Sequence, residues 1–388
     1  MAKTLAKASA PKSSGGSFDR VALVLQGGGA LGSYQAGVFE ALHEHGVEPD
    51  WVAGISIGAI NSALIAGNAP DQRVEKLHEF WNIVTAPAEQ DWLGAWGRAW
   101  QGDDARRLKN QLNAGRAMGA GVPGFYKPRI PPPFLQPSGT PGASSYYDTT
   151  ELARTLERLV DFDRINHDKS MRFSVGAVNV RTGNFAYFDN ETDTITARHV
   201  MASGALPPAF EAVEIDGEYY WDGGIVSNTP LQWVLRTYPM LDTLTFQVDL
   251  WSSRGGIPGD LGEVATRLKE IQFSSRTRAS TDFFSELQKA RGAIAALLEK
   301  LPPELAQSDE ALYLGTLSHR HAYNIVQLIY NSPKYELQSK DYEFSRATML
   351  DHWEVGRADA LRALNHPEIF HRPSVRHAVQ IFDFCTNR

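Results

Sequence analysis

A serine flanked by glycines forms the sequence Gly-Ile-Ser-Ile-Gly between Gly54 and Gly58. A short apolar run precedes this motif, and a helix-favouring segment, Ala59–Ala66, follows it at once. A nucleophile elbow requires this context, because a sharp strand-to-helix turn exposes the serine hydroxyl and small neighbours avoid clashes. Ser56 would then lie at a helix N-terminus, where the helix dipole favours developing negative charge. The alternative is an ordinary turn in which Ser56 only caps the helix.

Three consecutive glycines, Gly27, Gly28 and Gly29, lie about one short helix earlier, also between an apolar run and a helical pattern. Acyl transfer passes through a tetrahedral oxyanion, so N–H groups must point to the place where that charge develops. Consecutive glycines offer such donors without side chains in the way. The sequence therefore predicts an oxyanion hole at these glycines, with Gly28 and Gly29 as donors and with Gly27 and Gly32 shaping the turn.

The same loop also satisfies a dinucleotide-binding pattern, Gly27-x-Gly29-x-x-Gly32. That pattern further expects an acidic residue at the end of the second strand, whereas Glu48 and Asp50 precede the second strand of this chain. The loop keeps open a second class of function, a nucleotide- or acyl-binding regulatory protein that uses the glycines without catalysis.

A serine hydroxyl is a weak nucleophile and needs a base within hydrogen-bond reach. Seven histidines show no setting at a strand end beside small residues: His199, His319, His321, His352, His366, His371 and His377. Asp222 has such a setting, because it follows the strand-like Tyr219–Trp221 and precedes Gly223 and Gly224. The alternative is an aspartate in a β-turn. A carboxylate with a pKa of about 4 is a poor base for a hydroxyl proton, so the site must supply electrostatic stabilisation.

Two strand-turn-helix units in the first 70 residues must position these motifs. Val21–Leu25 is a β-favouring run that ends in the glycines, and Ser33–His45 carries apolar residues at helical spacing. Asp50–Ile55 and Ala59–Ala66 repeat the unit. The pattern predicts an α/β fold, with three α/β/α layers around a mostly parallel central sheet and functional groups at the carboxyl ends of its strands.

Further elements are predicted downstream from the same apolar periodicities. The predicted strands are Phe173–Val180, Phe185–Phe188, Tyr219–Trp221, Leu244–Leu250 and Tyr323–Tyr330. The predicted helices are Asp148–Val160, Leu261–Lys300 and Ser345–Leu364.

The stretch from Thr85 to Tyr147 breaks this pattern and is typical of a long insertion over the edge of the sheet. It contains three spaced tryptophans, Trp92, Trp96 and Trp100, and then a Gly/Pro-rich segment. Structureless loops of this length are uncommon in compact domains and often serve as lids. A solvated connector is the alternative, and tryptophans near a lipid surface favour the lid.

The predicted helix over Leu261–Lys300 carries seven basic residues. They are Arg267, Lys269, Arg276, Arg278, Lys289, Arg291 and Lys300. Such a set is usually a solvated face and less often a contact with an anionic membrane. Together with the tryptophans, it leads to the hypothesis of peripheral membrane contact.

The overall composition indicates a globular protein, since 388 residues with 43% hydrophobic content can bury a large core. A formal net charge of -7 argues against nucleic-acid binding, which normally shows a basic footprint. The single cysteine, Cys385, excludes a disulfide framework and a thiolate metal cluster and fits a cytoplasmic setting. No window approaches the roughly 18 apolar residues of a membrane span. Residues 1–19 are predicted to form a disordered tail.

Together, these motifs resemble the patatin-like phospholipase family, in its bacterial branch, over roughly residues 21–250. Three motifs follow the family's order: Gly27–Gly32, Gly54–Gly58 and Asp222–Gly224. The segment Ala202–Phe210 is also similar to the family's segment before the aspartate motif.

The resemblance implies a Ser-Asp dyad that hydrolyses acyl esters of lipids without calcium, another metal or a cofactor. Ser56 would attack the acyl carbonyl, and Asp222 would accept its proton and later activate water. The substrate would be a glycerophospholipid or a related lipid ester. A storage polyester and a water-soluble ester stay open as alternatives.

Two regions depart from the family or extend beyond its motifs. Many members carry Arg or Lys at the position of Leu31, so the resemblance implies that no cation lies near this oxyanion loop. Residues 251–388 resemble the extension of one bacterial subgroup. They are expected to form a helical or mixed unit packed on a catalytic domain of residues 20–250.

Overall fold

The structure is a computed structural model that describes residues 18–85, 103–318, 321–333, 335–373 and 378–384, with the backbone alone of 104 and 275–280. Residues 1–17 of the predicted tail, the three tryptophans of the insertion and Cys385 lie outside the described residues.

Eleven strands occur in the described parts of the chain. They are β1 (Arg20–Leu25), β2 (Trp51–Gly54), β3 (Lys127–Pro128), β4 (Tyr147–Asp148), β5 (Arg172–Asn179), β6 (Phe185–Asp189), β7 (Val213–Ile215), β8 (Glu218–Asp222), β9 (Thr243–Asp249), β10 (Tyr323–Ile329) and β11 (Val379–Asp383). Nine of them form one sheet in the order β11-β10-β9-β1-β2-β5-β8-β7, with β6 also paired to β5. The pairs from β11 to β5 are parallel, whereas β6, β7 and β8 pair antiparallel with their neighbours.

The α-helices of the described residues connect these strands. They are α1 (Ser33–Glu44), α2 (Ile57–Ala66), α3 (Arg73–Val84), α4 (Asp103–Ala120), α5 (Thr150–Leu159), α6 (Phe162–His167), α7 (Ala197–Ser203), α8 (Leu231–Arg236), α9 (Leu261–Leu298), α10 (Pro303–Ala306), α11 (Asp309–Leu317) and α12 (Arg346–Leu364).

Both faces of the sheet are covered, as the alternation of side chains along β1 shows. Leu23 and Leu25 belong to a core with apolar residues of α1, α2 and α12. Ala22 and Val24 belong to a second core, which contains residues of α8 and α9. Successive residues of a strand point to opposite faces, so helices cover the sheet on both sides. The predicted α/β fold, with a mostly parallel sheet between helical layers, is confirmed.

The C-terminal region extends the same sheet. Tyr323 of β10 pairs with Thr243 of β9, and β11 adds one more parallel strand beyond β10. The region also packs on α1 through α12, where a Cβ at Gly37 would lie 1.9 Å from the carbonyl oxygen of Trp353. Only glycine permits this backbone approach. The strand predicted at Tyr323–Tyr330 is therefore confirmed, while the domain boundary at residue 250 stays a prediction.

The described part of the insertion contains regular structure, in contrast to the long loop expected. α4 accounts for 18 residues of it, and the hairpin of β3 and β4 closes it. The Gly/Pro-rich residues between Arg129 and Tyr146 hold only short 3-10 turns. Among the described helices, none has the length and apolar character needed to cross a membrane.

Candidate active site

Ser56 lies in a strained turn between β2 and α2. Its backbone has φ 55° and ψ −122°, a conformation that is uncommon for a residue with a side chain. A Cβ at Gly54 would lie 2.2 Å from the carbonyl oxygen of Gly58, and one at Gly58 would lie 2.3 Å from that of Leu25. Both glycines are therefore required by backbone packing, and the turn has the geometry of a nucleophile elbow.

A buried serine holds this turn in place. The amide N–H of Ser56 donates to the carbonyl oxygen of Ser203 at 3.1 Å and to its hydroxyl oxygen at 3.0 Å. The Ser203 hydroxyl in turn donates to the carbonyl oxygen of Gly176 at 2.7 Å. Sequence reasoning noted the segment around Ser203 as part of the family resemblance and gave this residue no role.

The strand pairing explains how Asp222 reaches Ser56. One edge of β5 pairs with β6 along Ser174–Val178. The opposite edge of β5 therefore pairs with both β2 and β8, each at different residues. Gly54, the last residue of β2, is opposite Val175, and Asp222, the last residue of β8, is opposite Ala177. Since Ser56 follows Gly54 by two residues, the two motifs meet at the same level of β5.

The carboxylate of Asp222 lies in the same cavity as Ser56 and accepts a hydrogen bond from the amide of Gly224 at 2.7 Å. Its neighbour Gly223 permits the approach, because a Cβ there would lie 2.6 Å from the carbonyl oxygen of Gly176. Burial raises the pKa of Asp222 to about 7, against the smaller opposing effects of the Gly224 amide and the nearby Ser56 hydroxyl. The carboxylate is thus a stronger base than an exposed aspartate.

The glycine loop presents unused donors to the same space. The amide of Gly27 already donates to the carbonyl oxygen of Asn228 at 3.2 Å, so it is not free as an oxyanion donor, and the shaping role of this glycine stays a prediction. Among the described residues, the amides of Gly28 and Gly29 have no hydrogen-bond acceptor, and neither does that of Ile57, which follows the serine. Three N–H groups are therefore available for an oxyanion beside Ser56.

Side chains from later parts of the chain fix the glycine loop. The carbonyl oxygen of Gly27 accepts from the side-chain amide of Asn228 at 3.0 Å and from the indole of Trp251 at 2.9 Å. The side-chain oxygen of Gln26 accepts hydrogen bonds from the backbone amides of Leu250 and Trp251 at 2.7 and 3.0 Å. These contacts were not predictable from the sequence, because each joins segments that are more than 200 positions apart.

The C-terminal region also contacts this loop. The carbonyl oxygen of Asp341 accepts the amide of Ala30 at 2.8 Å, and a Cβ at Gly29, whose φ is +57°, would lie 2.0 Å from that oxygen. The Asp341 carboxylate pairs with Nζ of Lys269 at 2.8 and 2.9 Å. Because Lys269 lines the same cavity as the glycines, the expectation that no cation lies near this loop is wrong. Leu31 is fully buried in the core and cannot supply that charge.

Gly27–Gly29, Ser56 and Asp222 line one cavity of about 310 Å³. Most of its other walls are apolar or aromatic: Ile60, Met118, Phe125, Tyr126, Tyr147, Phe210, Phe273 and Phe344. Four of these side chains come from the insertion, namely Met118, Phe125, Tyr126 and Tyr147. Such a lining suits an apolar chain held near a few polar groups.

Other chemistries find less support at this site. None of the described histidines lines the cavity, and His199 and His352 bond instead to Thr196 and Glu336. The second strand ends at Gly54 without the acidic residue that a dinucleotide site expects. Within the described residues, no cluster of three or more His, Cys, Asp or Glu could hold a metal ion.

Comparisons with known proteins find matches to two family models, a curated relative and a solved structure. A family model described as patatin-like phospholipase matches residues 23–234, and a second, described as patatin phospholipase, matches residues 271–376. A lysophospholipase, nte1 of Aspergillus terreus, is 55% identical over 49 residues. That match covers 13% of this chain and only 3% of the length of that protein. Among solved structures, VipD from Legionella pneumophila is 16% identical, with a TM-score of 0.37 over 89% of this chain and 67% of that chain.

Proposed function

The chain belongs to the patatin-like phospholipase family, and on that premise we propose that it hydrolyses acyl esters of lipids by a dyad of Ser56 and Asp222. The observation that carries this proposal is that Ser56, on its strained turn, shares one cavity with a buried carboxylate, Asp222, whose pKa is raised to about 7. A general base works best when its pKa lies near the working pH. The predicted class, lipid ester hydrolase, agrees with the family.

In the first half of the reaction, the oxygen of Ser56 attacks the acyl carbonyl carbon while its proton moves to Asp222. The carbonyl oxygen becomes an oxyanion and accepts hydrogen bonds from the amides of Gly28, Gly29 and Ile57. The tetrahedral intermediate then collapses. The bond to the leaving alkoxide breaks, and this oxygen takes the proton from Asp222 and departs as an alcohol.

In the second half, water attacks the acyl group on Ser56. Asp222 accepts one proton of the water, and the same amides stabilise the second oxyanion. Collapse releases the fatty acid, and the proton held by Asp222 returns to the serine oxygen. The cycle is balanced by ester and water alone.

The apolar lining of the cavity supports an acyl chain as the part of the substrate nearest Ser56. A glycerophospholipid is the proposed substrate class, and the similarity to a lysophospholipase supports the same chemistry. A storage polyester or a soluble ester would use the same dyad. The match at residues 271–376 supports a family subgroup with a C-terminal extension, which we assign to the bacterial branch.

A peripheral contact with membrane lipid is proposed for the insertion. Three large apolar side chains of the insertion are exposed, Ile130 by 93%, Phe134 by 80% and Leu135 by 67%. A cluster of exposed apolar side chains is unfavourable in water and is typical of an interaction surface. Replacing all three by Ser should reduce flotation with phospholipid vesicles while leaving hydrolysis of a soluble ester intact. Unchanged flotation would contradict the contact.

The alternative function is a binding protein that uses the glycine loop without catalysis. A fluorophosphonate probe separates the two, because it labels only an activated serine. We expect labelling of the wild type and none of Ser56→Ala. Absence of labelling in freshly folded wild-type protein would favour the binding protein.

A further inference from the structure

A second cavity, of about 830 Å³, lies directly beside the candidate active site. It is bounded by the end of α3, by α4, by residues 120–127, by α5 and by the start of α12. Tyr126 and Phe344 line both cavities, so the two spaces share a wall of two aromatic rings. We refer to this second cavity as the basic groove.

The basic groove concentrates positive charge in a chain whose net charge is -7. Its charged side chains are Arg116, Lys127, Arg154, Arg158 and Arg346, with Glu151 as the one acid of the described lining. Five cations against one anion leave a strong local excess, which attracts anionic ligands.

Two of these arginines are placed to bind an anion directly. Arg154 and Arg158 are exposed and lie one turn apart on α5, where like charges repel. Two nearby acids have other cationic partners, since Glu151 pairs with Lys127 and Asp148 lies 3.5 Å from a guanidinium nitrogen of Arg129. Arg154 adds a weaker attraction that helps to lower the pKa of both acids. A bound anion would relieve the repulsion between the two arginines.

The catalytic cavity cannot accommodate a phosphate as readily. Lys269 is its only basic side chain among the described lining residues, and Asp341 and the carbonyl oxygen of Gln338 already hold its ammonium. A phospholipid with its ester at Ser56 would therefore find no unpaired cation for its phosphate among the described residues that line this cavity. Guanidinium groups match phosphate oxygens in geometry as well as charge, and they lie behind the shared aromatic wall.

Resting on the proposed lipid hydrolysis, we propose that the basic groove binds the phosphate of the phospholipid substrate while its scissile ester lies at Ser56. The groove also offers apolar surface from Ile83 and Leu350 for the glycerol and its neighbouring carbons. Arg154 and Arg158 are the residues that determine preference for phosphate-bearing esters over neutral ones.

The test compares two substrates with the same short acyl chains below their micelle concentrations: a phosphatidylglycerol and a diacylglycerol. The variant Arg154→Gln/Arg158→Gln should lower the ratio of kcat/KM for the phospholipid over kcat/KM for the neutral lipid by about tenfold or more. The control Arg236→Gln/Lys289→Gln removes the same charge from exposed helix positions outside both cavities and should keep the wild-type ratio.

Three results would overturn the inference. The ratio could stay unchanged in the arginine variant, or it could fall equally in the control, which would mean that only overall charge matters. The arginine variant could also lose binding to anionic vesicles while keeping its ratio for the monomeric lipids. The groove would then be a membrane contact.

A binding measurement keeps this inference separate from the proposed reaction. Calorimetric titration of Ser56→Ala protein with the same phosphatidylglycerol should give weaker binding, again about tenfold, when the two arginines are replaced. Wild-type protein that binds this lipid but hydrolyses no ester would contradict the proposed function alone. Binding of inorganic phosphate as tight as that of the lipid would contradict a headgroup site.

Discussion

The carbonyl oxygen of Asp341 lies 2.8 Å from the amide nitrogen of Ala30, so the C-terminal region is hydrogen-bonded to the loop that carries the proposed oxyanion donors. The side chain of Asp341 is fixed in turn by Lys269 on α9. Oxyanion donors act only when they are held at the right position before the reaction begins. The C-terminal region is therefore expected to affect the rate of a reaction whose motifs all precede residue 225.

Lys269→Met should lower activity through this contact. The change keeps the length of the side chain but leaves the Asp341 carboxylate without its ammonium partner. We expect kcat and kcat/KM to fall together by about tenfold, because a displaced oxyanion loop loses contacts made only in the transition state. Steady-state kinetics on a short-chain ester measure both constants.

The matched control is Lys289→Met, an exposed lysine on the same helix that does not line the cavity. It should keep the wild-type kcat. A Lys269→Met enzyme with an unchanged kcat would show that the Asp341 contact does not position the loop.

Ser203→Ala should weaken the nucleophile elbow. This substitution removes the hydroxyl that accepts the amide of Ser56 and donates to Gly176. Because Ser56 holds a strained backbone conformation, we expect a fall of roughly tenfold in kcat and a loss of about 1–2 kcal/mol of stability. Labelling rates with a fluorophosphonate and chemical denaturation measure the two effects.

Ser62→Ala serves as the control for that change. The Ser62 hydroxyl is also fully buried, but it has no hydrogen-bond partner among the described residues. Its removal should leave the labelling rate unchanged and the stability equal or higher. Equal losses in both variants would mean that any buried serine matters, and would contradict a specific role for Ser203.

The raised pKa of Asp222 predicts how activity depends on pH. The carboxylate must be ionised to accept the proton of Ser56, and burial raises its pKa to about 7. We expect kcat/KM to rise about tenfold per pH unit below pH 7 and to level off above it. An activity that is constant between pH 5 and pH 8 would contradict Asp222 as the base.

A second buried carboxylate allows the effect of a raised pKa on protein stability to be tested away from the dyad. Burial also raises the pKa of Asp249 to about 7, above the ordinary value of an unfolded aspartate. The stabilising contribution of its protonated form is present at low pH and is lost as the pH rises through 7. Asp249→Asn should therefore be more stable than the wild type by about 1 kcal/mol at pH 8, with a smaller difference at pH 5. Denaturation at both pH values checks the sign.

The motifs were predictable from the sequence because their local context is strong. Gly27–Gly29, Ser56 and Asp222 each follow an apolar strand, and the ends of neighbouring strands meet at one edge of a sheet. The antiparallel direction of β8 was not predictable, yet it sets Asp222 at the level of Ser56. The helix α4 was also missed, because Gly and Pro in the rest of the insertion dominated its interpretation.

The supporting contacts were not predictable for a different reason. Asn228, Trp251, Lys269 and Asp341 reach the glycine loop from segments far along the chain, and no periodicity encodes such pairings. The family pattern pointed to a missing cation at Leu31. The structure supplies one from α9, because a charge in the cavity can come from any element that borders it.

The most direct test of the dyad compares two substitutions of buried aspartates. Asp222→Asn and Asp249→Asn each replace a buried carboxyl whose pKa is raised to about 7, but only Asp222 lines the cavity with Ser56. We expect Asp222→Asn to lower kcat for ester hydrolysis by about 10²–10⁴-fold with the fold intact, and Asp249→Asn to keep most of the wild-type rate. A well-folded Asp222→Asn enzyme that keeps most of its rate would contradict the proposed Ser56–Asp222 dyad.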